Sequence, residues 1–347
     1  MLEDKIESTE RIIQLLKSRD IKPQHEWGWQ VAVYLYLAGI GSGSLAIGIF
    51  MDWLGYIPDD LRPMILWGPI LVAIGALFLV LKLGIKRRFL NTILNPWTSW
   101  LSRGFYILSA CIIVGMIILI ISILPYLGIN TGNWSALLLV LDVIGFLLAL
   151  ATAIYTGILI QSVKYVAFWN TSFLPTLFTV SALSTGTIAV MMSALAYNIV
   201  TASSGYPEQL MNTLTIIEQI LIILEVVVLA LYMLTRYWAE EYGRYSVRLL
   251  LSGNLKYIFW IGIIVSGFFF PIILEGIYSR LHNQHFLPFL AGAFLLMGGF
   301  FIRYVVVYAG IKNQHPIQQL LENQRNLKTL KQGQTELRGV FRKEFLK

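Results

Sequence analysis

The first long apolar run of the chain contains the stretch Tyr34-Leu35-Tyr36-Leu37-Ala38-Gly39-Ile40-Gly41-Ser42-Gly43-Ser44. The run extends from residue 27 to residue 50 without a charged residue, and a helix needs about 20 apolar residues to cross the hydrocarbon core of a bilayer. Its glycines and serines allow close approach of another helix backbone or of a flat ligand. The stretch therefore predicts a membrane helix whose small residues form a face that another helix or a flat ligand can approach closely. Helix packing alone, without a ligand, is the alternative interpretation.

Seven further apolar runs of similar length follow, at 64–81, 104–124, 135–159, 173–197, 212–235, 257–278 and 286–309. Of the 347 residues, 57% are hydrophobic and 13% are charged, which is about half the charged fraction of a soluble domain. Trp and Tyr cluster near the ends of the runs, as expected at the headgroup level. The sequence predicts an all-α, multi-pass protein of the cell membrane with eight transmembrane helices.

Basic residues fix the expected orientation. Of 26 Lys and Arg, 23 lie before the first span, after the last span or in the loops 82–103, 160–172 and 236–256. Only Arg62 and Arg280 lie on the other side, and Arg303 lies within the last span. By the positive-inside rule both termini are cytoplasmic. Because topology explains the net charge of +7, nucleic-acid binding is not favoured.

Three regions follow from this pattern: a cytoplasmic amphipathic segment at 1–26, a transmembrane domain at 27–310 and a cytoplasmic helical tail at 311–347. In both tails, leucines and isoleucines recur at near-helical spacing among charges. Such helices either lie on the lipid headgroups or dock on a soluble partner, and the sequence leaves both alternatives open.

Several classes of redox centre are not expected in this chain. None of the four histidines, His25, His282, His285 and His315, lies inside a span, so axial ligands for a membrane haem are missing. The single cysteine, Cys111, cannot hold an iron–sulfur cluster. His282 and His285 lie three residues apart in an outer loop, where surface histidines are a simpler interpretation than a metal site. We therefore expect no haem, no iron–sulfur cluster and no metal site.

Ordered motifs carry a resemblance to a known family. The glycine-rich first span is followed by Asn95-Pro96-Trp97-Thr98-Ser99-Trp100-Leu101-Ser102-Arg103-Gly104, then by Tyr155-Thr156-Gly157, the lead-in from Trp169-Asn170 to Pro175, and Ser181-Ala182-Leu183-Ser184-Thr185-Gly186. In this order, over about residues 27–310, the chain resembles the NrfD/polysulfide reductase membrane subunits.

The resemblance implies a fold of two four-helix bundles and a function. Such subunits are haem-free, quinone-reacting membrane anchors of respiratory oxidoreductase complexes. It implies menaquinone or a similar quinone as cofactor, an iron–sulfur partner subunit, and through it a molybdopterin-type catalytic subunit. The main metal chemistry would then reside in a partner rather than in this chain.

Polar side chains in the cytoplasmic half of the spans are the candidate quinone site: Tyr34, Tyr36, Ser102, Arg103 and Tyr155. A tyrosine hydroxyl can donate or accept a hydrogen bond, which suits both the quinone and the quinol. The alternative is that these tyrosines face the headgroups.

Ionisable residues within the spans are Asp142, Glu218, Glu225, Glu275 and Arg303. Such residues are costly in lipid and often functional. They are a candidate proton path, and a structural network between helices is the alternative. They also support a different function, a secondary transporter or proton-conducting channel without a redox role, although no internal repeat of the kind common in transporters is evident.

The predicted topology can be tested with reporter fusions. We expect reporters placed after Lys347 and within 82–103 to be cytoplasmic, and a reporter within 126–133 to be external, because of the distribution of basic residues. A cytoplasmic reporter at 126–133 would contradict the eight-span topology.

Overall fold

The structure is a computed structural model that describes residues 24, 26–83, 99–129, 134–201, 208–281 and 286–312, without the side chains of 198–201, 208, 275, 277–281 and 286. Within these ranges the protein is helical and has no β-strand. The two predicted tail helices, the Asn95-Pro96 part of the loop and the four histidines lie outside the described residues.

The helices are α1 (Trp29–Trp53), α2 (Arg62–Ile65), α3 (Gly68–Leu83), α4 (Trp100–Ile123), α5 (Ser135–Gln161), α6 (Phe173–Thr201), α7 (Glu208–Ala239), α8 (Glu241–Leu251), a π-helical segment (Ile258–Phe269), α9 (Phe270–Leu281) and α10 (Phe286–Tyr308). In the described ranges, seven helical stretches are long and apolar enough to cross a membrane. The prediction of a multi-pass membrane protein is confirmed.

The predicted span 257–278 has a different structure from the others. Its first part is the π-helical segment, and α9 continues it directly. The apolar helix counted within it, Ile258–Leu274, is shorter than the seven spanning helices. Gly267 lies in this segment directly against Gly298 of α10. The eighth span and the orientation of the termini stay predictions.

Two span boundaries differ from the sequence interpretation for local reasons. α4 begins at Trp100, four residues earlier than expected, because the Ser99 side chain caps it by accepting a hydrogen bond from the Leu101 backbone N–H. The second span begins with the one-turn helix α2 and restarts as α3 at Gly68. Pro69, which has no backbone N–H, is tolerated there because it lies in the first turn of α3.

α1 is the central helix of the described bundle. It packs against α3, α5, α6 and α10. In the most apolar part of α1 and of α6, 78% of the residues are buried within the protein, whereas the corresponding share for α5 is 28%. α1 and α6 are thus largely surrounded by protein, whereas most residues in that part of α5 are at least partly exposed at the surface of the bundle.

Glycines allow this close packing. A Cβ atom added to Gly43 would overlap the Ala182 carbonyl of α6, and one added to Gly186 would overlap the Gly43 backbone. On another side of α1, Gly41 lies against the Gly68 backbone of α3 in the same way. Small residues allow helices to approach each other closely in a membrane. Gly41 and Gly43 of the glycine-rich stretch therefore serve helix packing.

The loop between α5 and α6 is fixed to two other helices. The Trp169 indole N–H donates to the Val306 carbonyl at 2.7 Å, and the Tyr232 hydroxyl donates to the Phe168 carbonyl at 2.9 Å. Arg236 donates to two further carbonyls of the same loop. The buried tryptophan of the Trp169 motif therefore has a structural role.

The segment that leads into α1 is tied to the same end of the bundle. The Gln24 amide donates to the Val307 carbonyl at 2.9 Å. The Tyr165 hydroxyl donates to the Glu26 carboxylate at 2.6 Å. Partial burial and this carboxylate raise the pKa of Tyr165 to about 12, so the phenol keeps its donor proton well into the alkaline pH range.

The contact between α1 and α6 predicts that Gly43→Ala destabilises the protein. The added methyl group meets a backbone carbonyl, which cannot rotate away, and overpacking of this kind costs about 1–3 kcal/mol. We expect a lower midpoint of thermal unfolding in detergent. The matched control is Gly276→Ala in α9, where an added Cβ meets no described atom within 4 Å. Equal midpoints for the two variants would contradict the close contact.

Candidate functional site

Tyr34 of α1 and Tyr155 of α5 form a buried pair at one end of the bundle. The two residues are 0% and 2% exposed, and their hydroxyls lie close enough for a charge on one to affect the other. Neither hydroxyl has a hydrogen-bond partner among the described residues. A buried hydroxyl without a partner costs about 1–3 kcal/mol. The pair is therefore a place where a ligand or water can supply the missing hydrogen bonds.

Gly104 of α4 explains how Tyr155 fits. A Cβ atom at this position would overlap the ring and the hydroxyl of Tyr155, so only glycine lets the phenol lie on the α4 backbone. Ser102, two residues earlier, is buried, and its hydroxyl also has no partner among the described residues. We call Tyr34, Ser102 and Tyr155 the tyrosine cluster.

The depth of the tyrosine cluster follows from the helix bounds. Tyr34 lies in the second turn of α1, Ser102 in the first turn of α4, and Tyr155 about two turns before the end of α5. All three are thus near the same end of their helices, as the sequence interpretation assumed.

The other two predicted quinone residues lie elsewhere. The Tyr36 hydroxyl donates to the Leu296 carbonyl at 2.7 Å, so Tyr36 faces α10 rather than Tyr155. Arg103 is exposed, and its guanidinium carbon lies 4.7 Å from the centroid of the Trp100 ring. The structure brings Tyr34 and Tyr155 together and places Tyr36 in a different environment, because residues two apart on a helix point in different directions.

A second group of buried polar residues lies where α6, α7 and α10 meet. Arg303 is 1% exposed, and its Nη1 atom donates to the Ser181 hydroxyl at 2.6 Å and to the Gly299 carbonyl at 2.8 Å. Glu225 is 3% exposed, contacts the same hydroxyl and attracts Arg303. Ser181 can accept from the guanidinium and donate to the carboxylate. We call Arg303, Ser181 and Glu225 the arginine cluster.

Aromatic and glycine residues complete the surroundings of Arg303. Its guanidinium carbon lies 5.9 Å from the Tyr36 ring centroid and 5.7 Å from that of Phe178, within the range of cation–π attraction. A Cβ atom at Gly39 of α1 would lie 2.8 Å from the Nη2 atom. The first glycine of the first-span stretch therefore gives space to a charged side chain.

The other residues of the predicted proton path, Glu218, Glu275 and Asp142, do not belong to the arginine cluster. Glu218 is fully buried on α7 and lies two turns before Glu225 on the same face. The Glu275 side chain lies outside the described residues. Asp142 lies near the start of α5, where its Oδ2 atom pairs with Arg62 at 2.6 Å.

Arg62 and Asp142 line a cavity of about 750 Å³ at the opposite end from the tyrosine cluster. Its lining residues are Asp52, Trp53, Asp59, Arg62, Ile121, Ser122, Pro125, Gly128, Ile129, Ser135, Leu138, Leu139 and Asp142. Sequence reasoning treated Arg62 only as an outer-loop charge. No periodic signal could have paired two residues that are 80 positions apart.

Among the described residues, no group of three or more His, Cys, Asp or Glu side chains is arranged to hold a metal ion. Two residues that matter structurally, Gly104 and Ser181, lie inside the motifs that carried the family resemblance. Their positions were visible in the sequence, but their contacts were not.

The arginine cluster predicts coupled effects of substitution. Arg303→Met leaves the Glu225 charge buried without its counter-ion, and breaking a buried pair in this way costs about 3–5 kcal/mol. We expect a large loss of thermal stability in detergent, and partial recovery in the double variant Arg303→Met/Glu225→Gln, which removes both charges. Additive effects of the two substitutions would show that the residues do not act as a pair.

Comparison with known proteins gives the family. The family model described as polysulphide reductase, NrfD, matches residues 19–313. The sequence is 24% identical to the C subunit of polysulfide reductase from Wolinella succinogenes and 26% identical to protein NrfD of Escherichia coli K12, in each case over 82% of this protein and 94% of the relative. It is 24% identical to a protein NrfD homolog of Haemophilus influenzae over 83% of this protein and 95% of the relative. The match over most of its length shows that the protein belongs to the polysulphide reductase NrfD family.

Proposed function

We propose that this protein is the membrane anchor subunit of a respiratory oxidoreductase complex, in which it binds quinone or quinol and exchanges electrons with an iron–sulfur partner subunit. Family membership supports the first part, because one similar protein is named as the C subunit of a polysulfide reductase. The iron–sulfur subunit would in turn connect to a molybdopterin-type catalytic subunit.

The tyrosine cluster is the observation that carries the quinone proposal. It provides three buried hydroxyls without partners among the described residues, near one end of α1, α4 and α5. A quinone has two carbonyl oxygens that need hydrogen-bond donors, and a quinol has two hydroxyls that need acceptors. Tyrosine and serine hydroxyls satisfy both requirements, so these residues fit the group.

The chemistry of this site divides between the cofactor and the chain. When bound, a quinone supplies a couple that takes up or releases two electrons and two protons. Tyr34 and Tyr155 would orient its headgroup by donating hydrogen bonds, and their hydroxyls would hold or pass on a proton at the oxygen they contact. Gly104 would keep the Tyr155 hydroxyl at the depth of Ser102.

The electrons need a second carrier close to this site. Since Cys111 is the only cysteine of the chain, the thiolate ligands of an iron–sulfur cluster must come from a partner subunit. We place that partner at the end of the bundle that carries the tyrosine cluster, where the exposed Arg103 and Trp100 offer a polar and aromatic surface.

The arginine cluster supports a second candidate function. Ser181 connects a buried guanidinium and a buried carboxylate, and together with Glu218, Glu275 and Asp142 these residues could conduct protons with or without a redox partner. Coupled to quinol oxidation they would be a proton path. Without it they would make the protein a transporter or channel, for which partner subunits and quinone would be dispensable.

Tyr155→Phe tests the quinone site. The substitution removes one hydroxyl and keeps the ring, so packing against Gly104 should be preserved. Loss of a hydrogen bond to a buried partner costs about 1–3 kcal/mol, which is about a tenfold or larger effect on binding or rate. We expect quinone-linked turnover by the intact complex to fall by that factor, while the activity of the partner subunits with a soluble dye stays unchanged.

The matched control is Tyr106→Phe, which removes the hydroxyl of a partly exposed tyrosine on α4, two residues after Gly104. It should leave both assays unchanged. Wild-type quinone-linked turnover in Tyr155→Phe would refute the site. An equal fall in both assays would instead make Tyr155 a structural residue. Proton movement by the isolated chain in vesicles without any partner would favour the channel.

A further inference from the structure

The cavity at the opposite end of the bundle from the tyrosine cluster contains charges that the proposed quinone site does not use. It lies between the end of α1, the start of α2, the end of α4 with the 3-10 turn Leu124–Leu127, and the start of α5. Its volume of about 750 Å³ is within the range of pockets that hold small organic groups.

The charges that line the cavity have an acidic excess. Asp52, Asp59 and Asp142 face a single base, Arg62. Arg62 engages Asp142 at 2.6 Å and Asp52 at 3.2 Å through its two terminal nitrogens. With three carboxylates against one guanidinium, the cavity attracts a cation rather than an anion.

One carboxylate oxygen of this group needs a further donor. Asp142 is 3% exposed, and although its Oδ2 atom is paired with Arg62, its Oδ1 atom is buried with no hydrogen-bond partner among the described residues. The Nε atom of Arg62 is likewise without a partner there. A buried carboxylate oxygen on a cavity wall requires an N–H or O–H donor. An ammonium group supplies that donor together with the missing positive charge.

The apolar wall of the cavity shows from which side a ligand can enter. Leu139 of α5 is 57% exposed, and Trp53 at the end of α1 is 40% exposed. On a helix that crosses the membrane, exposed apolar side chains of this kind contact lipid. The cavity therefore combines a buried charge at Asp142 with exposed apolar side chains at its rim, which suits an amphiphile.

We propose that this cavity binds an amphiphile with a primary ammonium headgroup, the chemistry of an ethanolamine phospholipid. The ammonium donates to Asp142 Oδ1 and to Asp59, and the lipid phosphate accepts from the remaining N–H groups of Arg62. The acyl chains follow the apolar surface of α4 and α5. A choline headgroup lacks the N–H donors, and a glycerol headgroup lacks the positive charge, so both should bind more weakly.

The experiment measures lipid retention by the full-length chain. The protein, purified in mild detergent, is incubated with equal amounts of phosphatidylethanolamine, phosphatidylcholine and phosphatidylglycerol that share the same acyl chains, and bound lipid is counted by native mass spectrometry. We expect the ethanolamine lipid to be retained roughly tenfold over each of the others, which is the effect of one charge-assisted hydrogen bond.

Three variants make the test specific to the cavity. Asp142→Asn removes the buried charge and should abolish most of the preference. Asp59→Asn changes an exposed residue of the lining, so it tests the same site with little risk to folding. The matched control is Asp60→Asn, which makes the same change next to Asp59 but outside the lining, and it should retain the wild-type preference.

Each other outcome overturns the proposal. Equal retention of the three lipids by the wild type would show that the cavity does not select an ammonium headgroup. Preferential retention of phosphatidylglycerol would contradict the acidic excess of the cavity lining. A preference that survives both Asp142→Asn and Asp59→Asn would place the lipid elsewhere. Displacement of the lipid by an equal concentration of free ethanolamine would show that the site takes the ammonium group without the lipid.

Discussion

The close approach of α1 to its neighbours at Gly41 and Gly43 is the contact on which the rest of the bundle depends. In lipid, helices gain little from burying apolar side chains against each other, so they associate through close packing and polar contacts. Gly43 brings α6 against α1, and Gly41 brings α3 against it. Because α1 contacts four other long helices, its position sets the spacing of the side chains between them.

The same central helix separates two groups of buried polar residues. Tyr34 faces Tyr155 of α5, whereas Tyr36, two residues later, faces Arg303 of α10. The hydroxyls of the first group are uncharged and have no partners among the described residues. In the second group Arg303 and Glu225 attract each other, although Arg303 Nε and Glu225 Oε1 also lack hydrogen-bond partners there. Neutral hydroxyls can donate to or accept from a quinone or quinol, whereas the two charges of the second group balance each other between helices. This difference is the physical basis for assigning the quinone to the tyrosines.

The membrane helices and several candidate site residues could be predicted from the sequence, because the length of an apolar run and the presence of a motif are local properties of the chain. Run lengths identified the membrane helices, and the loop between α5 and α6 was expected at 160–172, close to its place in the structure. Polarity within apolar runs also identified Tyr155, Glu225 and Arg303 as candidates. Boundaries that depend on a cap, such as Ser99 at α4, were less accurate, since a single side chain moves them by a turn.

The sequence by itself determined that the chain lies in a membrane, and its order of motifs indicated the family. Only the tertiary structure decided which polar residues meet. It separated Tyr36 from Tyr34, joined Arg303 to Ser181 across 122 positions and paired Arg62 with Asp142 across 80. The physical reason is that each apolar helix satisfies its own backbone hydrogen bonds, so its existence can be inferred from local sequence. Its rotation and neighbours depend on side-chain packing between segments that are far apart in the chain.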